Sequence, residues 1–383
     1  MKILMIAPQP FFQPRGTPFS VRMRIKALAD LGHQVDLVTY PLGEDVEIPG
    51  LRIFRLPRWP GLRRIPIGPS AVKFPLDFLI CWASLWRYLA GRYDAVHTHE
   101  EAGGIGALLR VVFGKKHIYD MHSSLPEQLE NYRFTTSGLL IGFARAFEGW
   151  VMRHSDAVIA ICPHLVDQAR AADPGARVLL IENQPVAGET AAGEAEVAAL
   201  RARLGIAGPV ILYTGTFEKN QGIDLLLDGV TRILAACPDA RVVIVGGEPA
   251  QVGLALAAAV RLGVARQVVF TGQRPPEEMP AYVGLADILV SPRSSGTNTP
   301  LKIYSYLWSG KAIVATDLET HRQVLDETTA LLVPPTAEAI ADAVVALLRD
   351  PARRAAFGEA GRRVAEERYS YRVYLDKVRE AYA

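Results

Sequence analysis

Three loops in this chain run from an apolar strand pattern into a helix pattern and carry the small and hydroxyl residues that hold phosphate. The first, residues 8–18, places Gly16-Thr17 ahead of helical spacing over 19–31. Free N–H groups at a helix start attract anions, and the same residues also suit an ordinary N-cap by Thr17 with Pro18 at the first helical position. The second is Gly215-Thr216-Phe217-Glu218-Lys219-Asn220-Gln221-Gly222. Its glycine lets the backbone approach a ligand and Lys219 supplies charge; a solvated turn is the competing reading. The third, Pro292-Arg293-Ser294-Ser295-Gly296-Thr297-Asn298-Thr299-Pro300, leads into a helix over 301–309 closed by Gly310 and adds Arg293. It is the most specific anion-site pattern of the three. The first loop has one glycine, Gly16, where a dinucleotide fingerprint spaces several, which counts against a nicotinamide or flavin enzyme.

Such loops need strands to aim them. Strand patterns fall at residues 2–7, 35–40, 51–56, 95–98, 117–121, 157–161 and 178–181, with helical stretches between several of them. The alternation breaks over 183–193, where Asn, Gln, Pro, Gly and Ala replace it, and restarts at 210–214, 242–245, 268–271, 288–291, 312–315 and 330–333. Strands alternating with helices predict parallel sheets covered on both faces. Two such blocks predict an α/β protein of two Rossmann-like, doubly wound domains facing a central cleft. The domains are placed at 1–185 and 186–361, with 362–383 a terminal helix packing back on the first. Ligands of such sheets bind at the carboxyl ends of the strands.

At 383 residues the chain exceeds the size of one hydrophobic core. Its 42 basic and 40 acidic residues leave a net charge of +2, no global case for binding nucleic acid. Cys81, Cys162 and Cys237 offer neither a disulfide framework nor zinc spacing, which suits a reducing cytoplasm. Residues 1–7 read as a buried strand rather than a signal-peptide core, and the apolar stretch 74–90, broken by Asp77 and Arg87, falls short of a membrane span. The segment 52–92 interleaves Arg52, Arg55, Arg58, Arg63, Arg64, Lys73, Arg87 and Arg92 with phenylalanines and tryptophans. That composition suits an anionic membrane surface, and equally a helix packed on the sheet with arginines on its wet face. The expectation is a cytoplasmic protein, peripheral on the inner face of the plasma membrane.

"VILYTGTFEKNQGIDLLLDG", "VVIVGG", "VVFTGQRPPEEMPAYVGLADILVSPRSSGTNTPLKIYSYLWSGKAIVATD" and "ALLVPP" follow one another in the second half, and "YDAVHTHEEAG" and "IYDMHSSLPEQ" stand in the first. In order and spacing the whole chain resembles the retaining glycosyltransferases of family four, glycosyl transferases group 1, with the GT-B fold. The resemblance implies transfer of a hexose-type sugar from a nucleotide-diphosphate donor, UDP or GDP, to a lipid-linked or saccharide acceptor. The nucleotide sugar is a substrate, and no cofactor or metal is expected. Gly16 and Thr17 would meet the donor diphosphate from the first domain, and His122 would lie against the transferred sugar. Gly215, Thr216 and Lys219 would approach the diphosphate from the second. Gly272, Gln273 and Arg274 would receive the nucleobase, and Thr297, Asn298 and Thr299 would offer N–H groups to phosphate or sugar.

The chain departs from the family's pattern at its two glutamates eight positions apart, which fall on Thr297 and Ser305. The family's arginine and lysine of the strand–loop motif are likewise missing at Phe217 and Gln221. Lys219, Arg293 and Lys302 are the cations available to compensate, Lys302 being read also as an exposed helix residue. These departures leave a degenerate, non-catalytic protein as the alternative, and the shared architecture leaves an epimerase-like one.

Overall fold

The structure, a computed structural model, describes every residue except 14–15, 66–69, 71, 132–136 and 186–190, and the side chains of Glu130 and Asn131. Parts of the loop 8–18, the segment 52–92 and the break at 183–193 therefore lie outside the described residues. The chain forms two compact units, Met1–Asn183 with Arg372–Ala383, and Gln184–Tyr371.

Among the described residues the first unit holds seven strands: β1 (Lys2–Ala7), β2 (Gln34–Thr39), β3 (Leu51–Arg55), β4 (Ala95–His99), β5 (Lys116–Met121), β6 (Ala157–Ala160) and β7 (Val178–Leu180). They pair in the order β3-β2-β1-β4-β5-β6-β7, every ladder parallel. Ile3, Leu4, Met5 and Ile6 have no exposed surface, as a central strand covered on both faces requires. Strand order reverses between β1 and β4, so the loops leaving those two strands diverge at the sheet's carboxyl edge and open a crevice there. Helix Gly16–Asp30 follows β1. It begins at Gly16, so Thr17 and Pro18 sit inside the first turn instead of capping it. Helices Lys73–Ala90, Gly103–Phe113 and Gly138–Arg153 belong to the crossovers β3-to-β4, β4-to-β5 and β5-to-β6. All three connections step the same way across the sheet, and right-handed crossovers then put the three helices on one face.

The second unit repeats the plan with β8 (Val210–Thr214), β9 (Arg241–Val245), β10 (Val268–Gly272), β11 (Ile288–Ser291), β12 (Ala312–Thr316) and β13 (Leu331–Val333), ordered β10-β9-β8-β11-β12-β13 and again all parallel. Its switch point lies between β8 and β11, the two strands that carry the glycine loop and the hydroxyl loop. One face packs Leu226, Val230, Ile340 and Val344 over Ile211 and Val290; the other packs Tyr282, Tyr304, Leu307 and Ala365 over Leu212 and Leu289. The last stretch is two helices. Pro351–Arg368 stays with the second unit, and the helix Tyr371–Tyr382 belongs to the first from Arg372 onward.

Candidate donor-binding site and a buried histidine cluster

In the second unit, β8 ends at Thr214, whose N–H is held by the Tyr306 hydroxyl at 2.9 Å. The chain turns at Gly215, with φ +142°, and a Cβ there would come within 3.0 Å of the Lys302 ammonium. Glycine at 215 therefore leaves room for the lysine head. Gly222 ends the loop in the left-handed region at φ +69°, pressed against the Pro292 carbonyl, so any side chain would push the two loops apart. Ser294 N–H donates to the Asn220 carbonyl at 3.0 Å and binds the pair of loops together.

Lys302 is not the exposed residue that helix position alone allows. Its Nζ lies 3.7 Å from the centre of the Tyr213 ring and donates to Gln221 Oε1 at 3.3 Å. Burial, with the Arg293 charge nearby, holds its pKa well below the ordinary lysine range. Among the described residues no carboxylate forms an ion pair with it. Arg293 does a different job: its Nη1 donates to the Asn298 carbonyl at 2.6 Å and to Thr320 Oγ1 at 2.9 Å. Thr316 Oγ1 holds the Arg293 carbonyl at 2.6 Å and Gln323 holds the Thr297 carbonyl. The loop 292–300 is thus braced from behind by side chains. His321 anchors the same region through Ser291 Oγ at 2.8 Å, its pKa lowered to about 4 by burial.

The other predicted positions spread around this frame. Gly215, beside the lysine, and Asn298 are half-buried, Thr299 is buried, and Thr216 and Lys219 are exposed. Gln273 and Arg274 are exposed just beyond β10, whose last residue, Gly272, accepts a hydrogen bond from Gly246 N–H at 2.8 Å. Ser305 lines an open pocket with Val197, Arg201, Met279, Val283 and Trp308. In the first unit, Gly16 is exposed at its helix start and Thr17 is half-buried.

His122, just past β5, is 4 % exposed and belongs to a cluster that the sequence reading had not assembled. His97 and His99 alternate on β4, and Asp120 and His122 alternate on and beyond β5, with His99 in register against Asp120. Two-residue spacing on neighbouring strands puts all four on one face. Asp120 Oδ2 takes Arg24 Nε at 2.9 Å and lies 3.3 Å from His97 Nε2, while its Oδ1 lies 3.4 Å from His122 Nε2. His99 Nδ1 and His122 Nε2 share a hydrogen bond at 3.0 Å, and His97 Nδ1 meets the Tyr382 hydroxyl at 2.6 Å. Burial alone would raise the Asp120 carboxyl, but the Arg24 guanidinium and the histidines hold it well below the usual range. Burial lowers all three histidines, His122 to about 4, so at neutral pH they are uncharged. His97, His99 and Asp120 offer possible metal-ligand atoms within 4.8 Å of one another. Arg24 already neutralises that carboxylate, so the charge a cation would satisfy there is met by the protein.

Beside the cluster, Glu100 follows β4 with φ +49° and its carboxyl is pushed up to about 7 by burial and by Glu101. It lines a small pocket with Tyr119, Ser123, Gln128 and Glu148. A non-glycine residue in the left-handed region at a strand end is a strained position of the kind found at functional sites.

Two Rossmann-like parallel sheets, one with the glycine and hydroxyl loops at its switch point and the other with a buried histidine cluster, define the GT-B fold. The family model for glycosyl transferases group 1 matches residues 208–350, and that for a glycosyl transferase 4-like domain matches residues 15–184. The chain belongs to the group 1 glycosyltransferases of the family-four type, enzymes that use a nucleotide sugar. The GDP-mannose-dependent alpha-(1-6)-phosphatidylinositol monomannoside mannosyltransferase of Mycolicibacterium smegmatis is 33% identical over 185 residues, covering 46% of this chain and 48% of its own. The phosphatidyl-myo-inositol mannosyltransferase of the same organism is 24% identical over 100% of this chain and 93% of its own. Anabaena HepE in complex with UDP and glucose shares the fold, with TM-score 0.77, 18% identity, and coverage of 99% of this chain and 98% of that one.

Proposed function

We propose that this chain transfers a hexose-type sugar from a UDP- or GDP-sugar to a lipid-linked or saccharide acceptor with retention of configuration. The observation that carries the reading is Lys302: a desolvated ammonium facing Gly215, with an aromatic face and an amide for company and no carboxylate paired to it among the described residues. A cation so placed is built for an anion that arrives from outside. The donor diphosphate is that anion, with Gly215 giving it room, Thr297, Asn298 and Thr299 offering N–H groups, and Lys219 adding charge at the rim. Arg293 contributes by holding the 292–300 loop in shape.

In the reaction the bond between the anomeric carbon and the β-phosphate oxygen breaks, passing through an oxocarbenium-like state. The acceptor oxygen bonds to the same face of that carbon, and its proton leaves with the diphosphate. Lys302 stabilises the negative charge as it develops. His122, neutral and held by Asp120 and His99, presents a hydrogen-bonding group to the sugar, and Glu100 binds an acceptor hydroxyl. Relatives named for phosphatidylinositol acceptors support a lipid acceptor, and that favours action at the cytoplasmic face of an anionic membrane. Among the described residues no helix is long and apolar enough to cross a bilayer.

A nucleotide-release screen over UDP-, GDP-, ADP- and dTDP-sugars tests this reading, with Lys302→Met as the control. Release from one or two donors that disappears in the variant is the expected result. Neither binding nor turnover with any donor would leave the non-catalytic alternative, which the absent carboxylates at Thr297 and Ser305 motivate.

A further inference from the structure

The exposed apolar surface of the first unit is concentrated on one helix layer. On Lys73–Ala90, Phe74, Phe78, Trp82 and Trp86 are 62%, 71%, 64% and 71% exposed. Four-residue spacing stacks them along one side of the helix for about 18 Å. The opposite side, with Leu76, Ile80, Ser84 and Tyr88, is buried on the sheet. The helix is therefore packed on its inner face, while most of the surface of Phe78, Trp82 and Trp86 is left exposed. Phe113, at the end of Gly103–Phe113, packs its ring 5.1 Å from that of Tyr88 and is itself 44% exposed. Phe143 on Gly138–Arg153 is 71% exposed. A surface this apolar and continuous marks an interaction site.

Charge selects the partner. The acids of these three helices are Asp77 and Glu148. Asp77 accepts a hydrogen bond from the Tyr40 hydroxyl, and Glu148, buried, holds Ser124 Oγ and Leu125 N–H. Of the layer's cations, Arg87 reaches Asp36 at 3.4 Å and Arg110 meets Asp156 at 2.9 Å, which leaves Lys73, Arg145 and Arg153 as the rim. An aromatic face rimmed by cations and without a carboxylate turned outward fits an anionic lipid surface. The arginines nearer the start of the segment are differently employed. Arg52 binds Asp36 in two bonds of 2.7 and 2.8 Å, and Arg55 is tied to Phe11 O, Glu44 O and Asp45.

We propose that this helix layer docks on an anionic bilayer by inserting the Phe74, Phe78, Trp82 and Trp86 row among the headgroups, the arginines serving as a rim and not as the anchor. The proposal deepens the lipid-acceptor reading by naming the partner of the first unit, and its test is independent of turnover.

The test measures flotation with phosphatidylcholine vesicles, with and without phosphatidylglycerol, and the quenching of tryptophan fluorescence by brominated lipid. Full-length protein is compared with Phe78→Ser/Trp82→Ser and Arg145→Glu/Arg153→Glu, the second pair being exposed on Gly138–Arg153. The wild type should bind the anionic vesicles, keep much of that binding at high salt, and be quenched. The aromatic variant should lose at least about tenfold in partitioning, while keeping its melting temperature and its rate of nucleotide release. The arginine variant should weaken only at low salt. No quenching, or binding abolished by salt alone, would overturn insertion. A concentration-dependent dimer in lipid-free solution that the aromatic variant abolishes would assign the row to a second copy instead. Loss of nucleotide release in the wild type would count against the enzymatic reading and leave the docking result standing.

Discussion

The ammonium of Lys302 lies 3.7 Å over the centre of the Tyr213 ring and is paired with no carboxylate among the described residues. The ring's negative face offsets part of the cost of burying the charge, and the remainder is left for a ligand. Replacing Lys302 by Met keeps the packing and removes the charge. The donor dissociation constant should rise by about 10- to 100-fold with little change in melting temperature. Titration calorimetry with the free nucleoside diphosphate measures it, and an unchanged affinity would remove Lys302 from the site.

The same lysine predicts a proton linkage. Its pKa in the free protein is well below normal because burial and Arg293 oppose the charged form. A bound diphosphate favours that form, so binding should take up protons and weaken as pH rises. Calorimetry in buffers of different ionisation enthalpy reads this directly. A binding enthalpy independent of buffer would contradict it.

Gly222→Ala should separate the two loops that frame the pocket. The substitution forces a side chain into φ +69° against the Pro292 carbonyl. A loss of about 1–3 kcal/mol in stability is expected, together with weaker donor binding. Chemical denaturation and the calorimetric titration would show whether the two effects occur together.

Asp120 and Arg24 form a buried pair at 2.9 Å. Asp120→Asn leaves the guanidinium without its counter-charge and should cost about 3–5 kcal/mol. The double variant with Arg24→Met should recover part of that loss. His97, His99, His117, His122 and His321 all have lowered pKa values from burial. Below about pH 6.5 the unfolded chain binds protons these sites refuse, so stability is fully present above that pH and falls toward about pH 4. Asp77 and Glu100, raised to about 6 and about 7, act in the opposite sense. The histidines outnumber them, and denaturation midpoints should fall on acidification.

His122→Ala should lower kcat by about 100-fold or more while the donor dissociation constant changes little. Single-turnover sugar transfer and nucleotide titration separate the two quantities. An unchanged kcat would make the residue a structural member of the Asp120 cluster.

Much of this protein was legible in its residue order. Short, mostly apolar runs bounded by turn residues located the thirteen strands of the described residues, because a strand covered on both faces is predominantly apolar. The glycine loop and the hydroxyl loop were legible for a related reason: a backbone that approaches a ligand or enters a helix needs specific residue types. The His-x-His of β4 and the Asp-x-His of β5 also carried a usable signal, since a period of two puts each pair on one face. That the two pairs are neighbours depends on strand order, which the local pattern does not contain.

Other assignments needed three dimensions. Whether Lys302 or Arg293 is tied up by the fold depends on which neighbours the fold brings to each. Arg293 meets Asn298 and Thr320, and Lys302 meets Tyr213. The segment 52–92 read as one stretch of mixed basic and aromatic residues, and the fold divided it. Asp36 holds Arg52 at the surface and the carbonyls of residues 11 and 44 hold Arg55, while Phe78 and Trp82 stayed outside because the inner face of their helix was already filled. Local chemistry along the chain decides what each segment is able to do. Tertiary contacts decide which charges are spent on the fold itself and which are left for a ligand or a lipid.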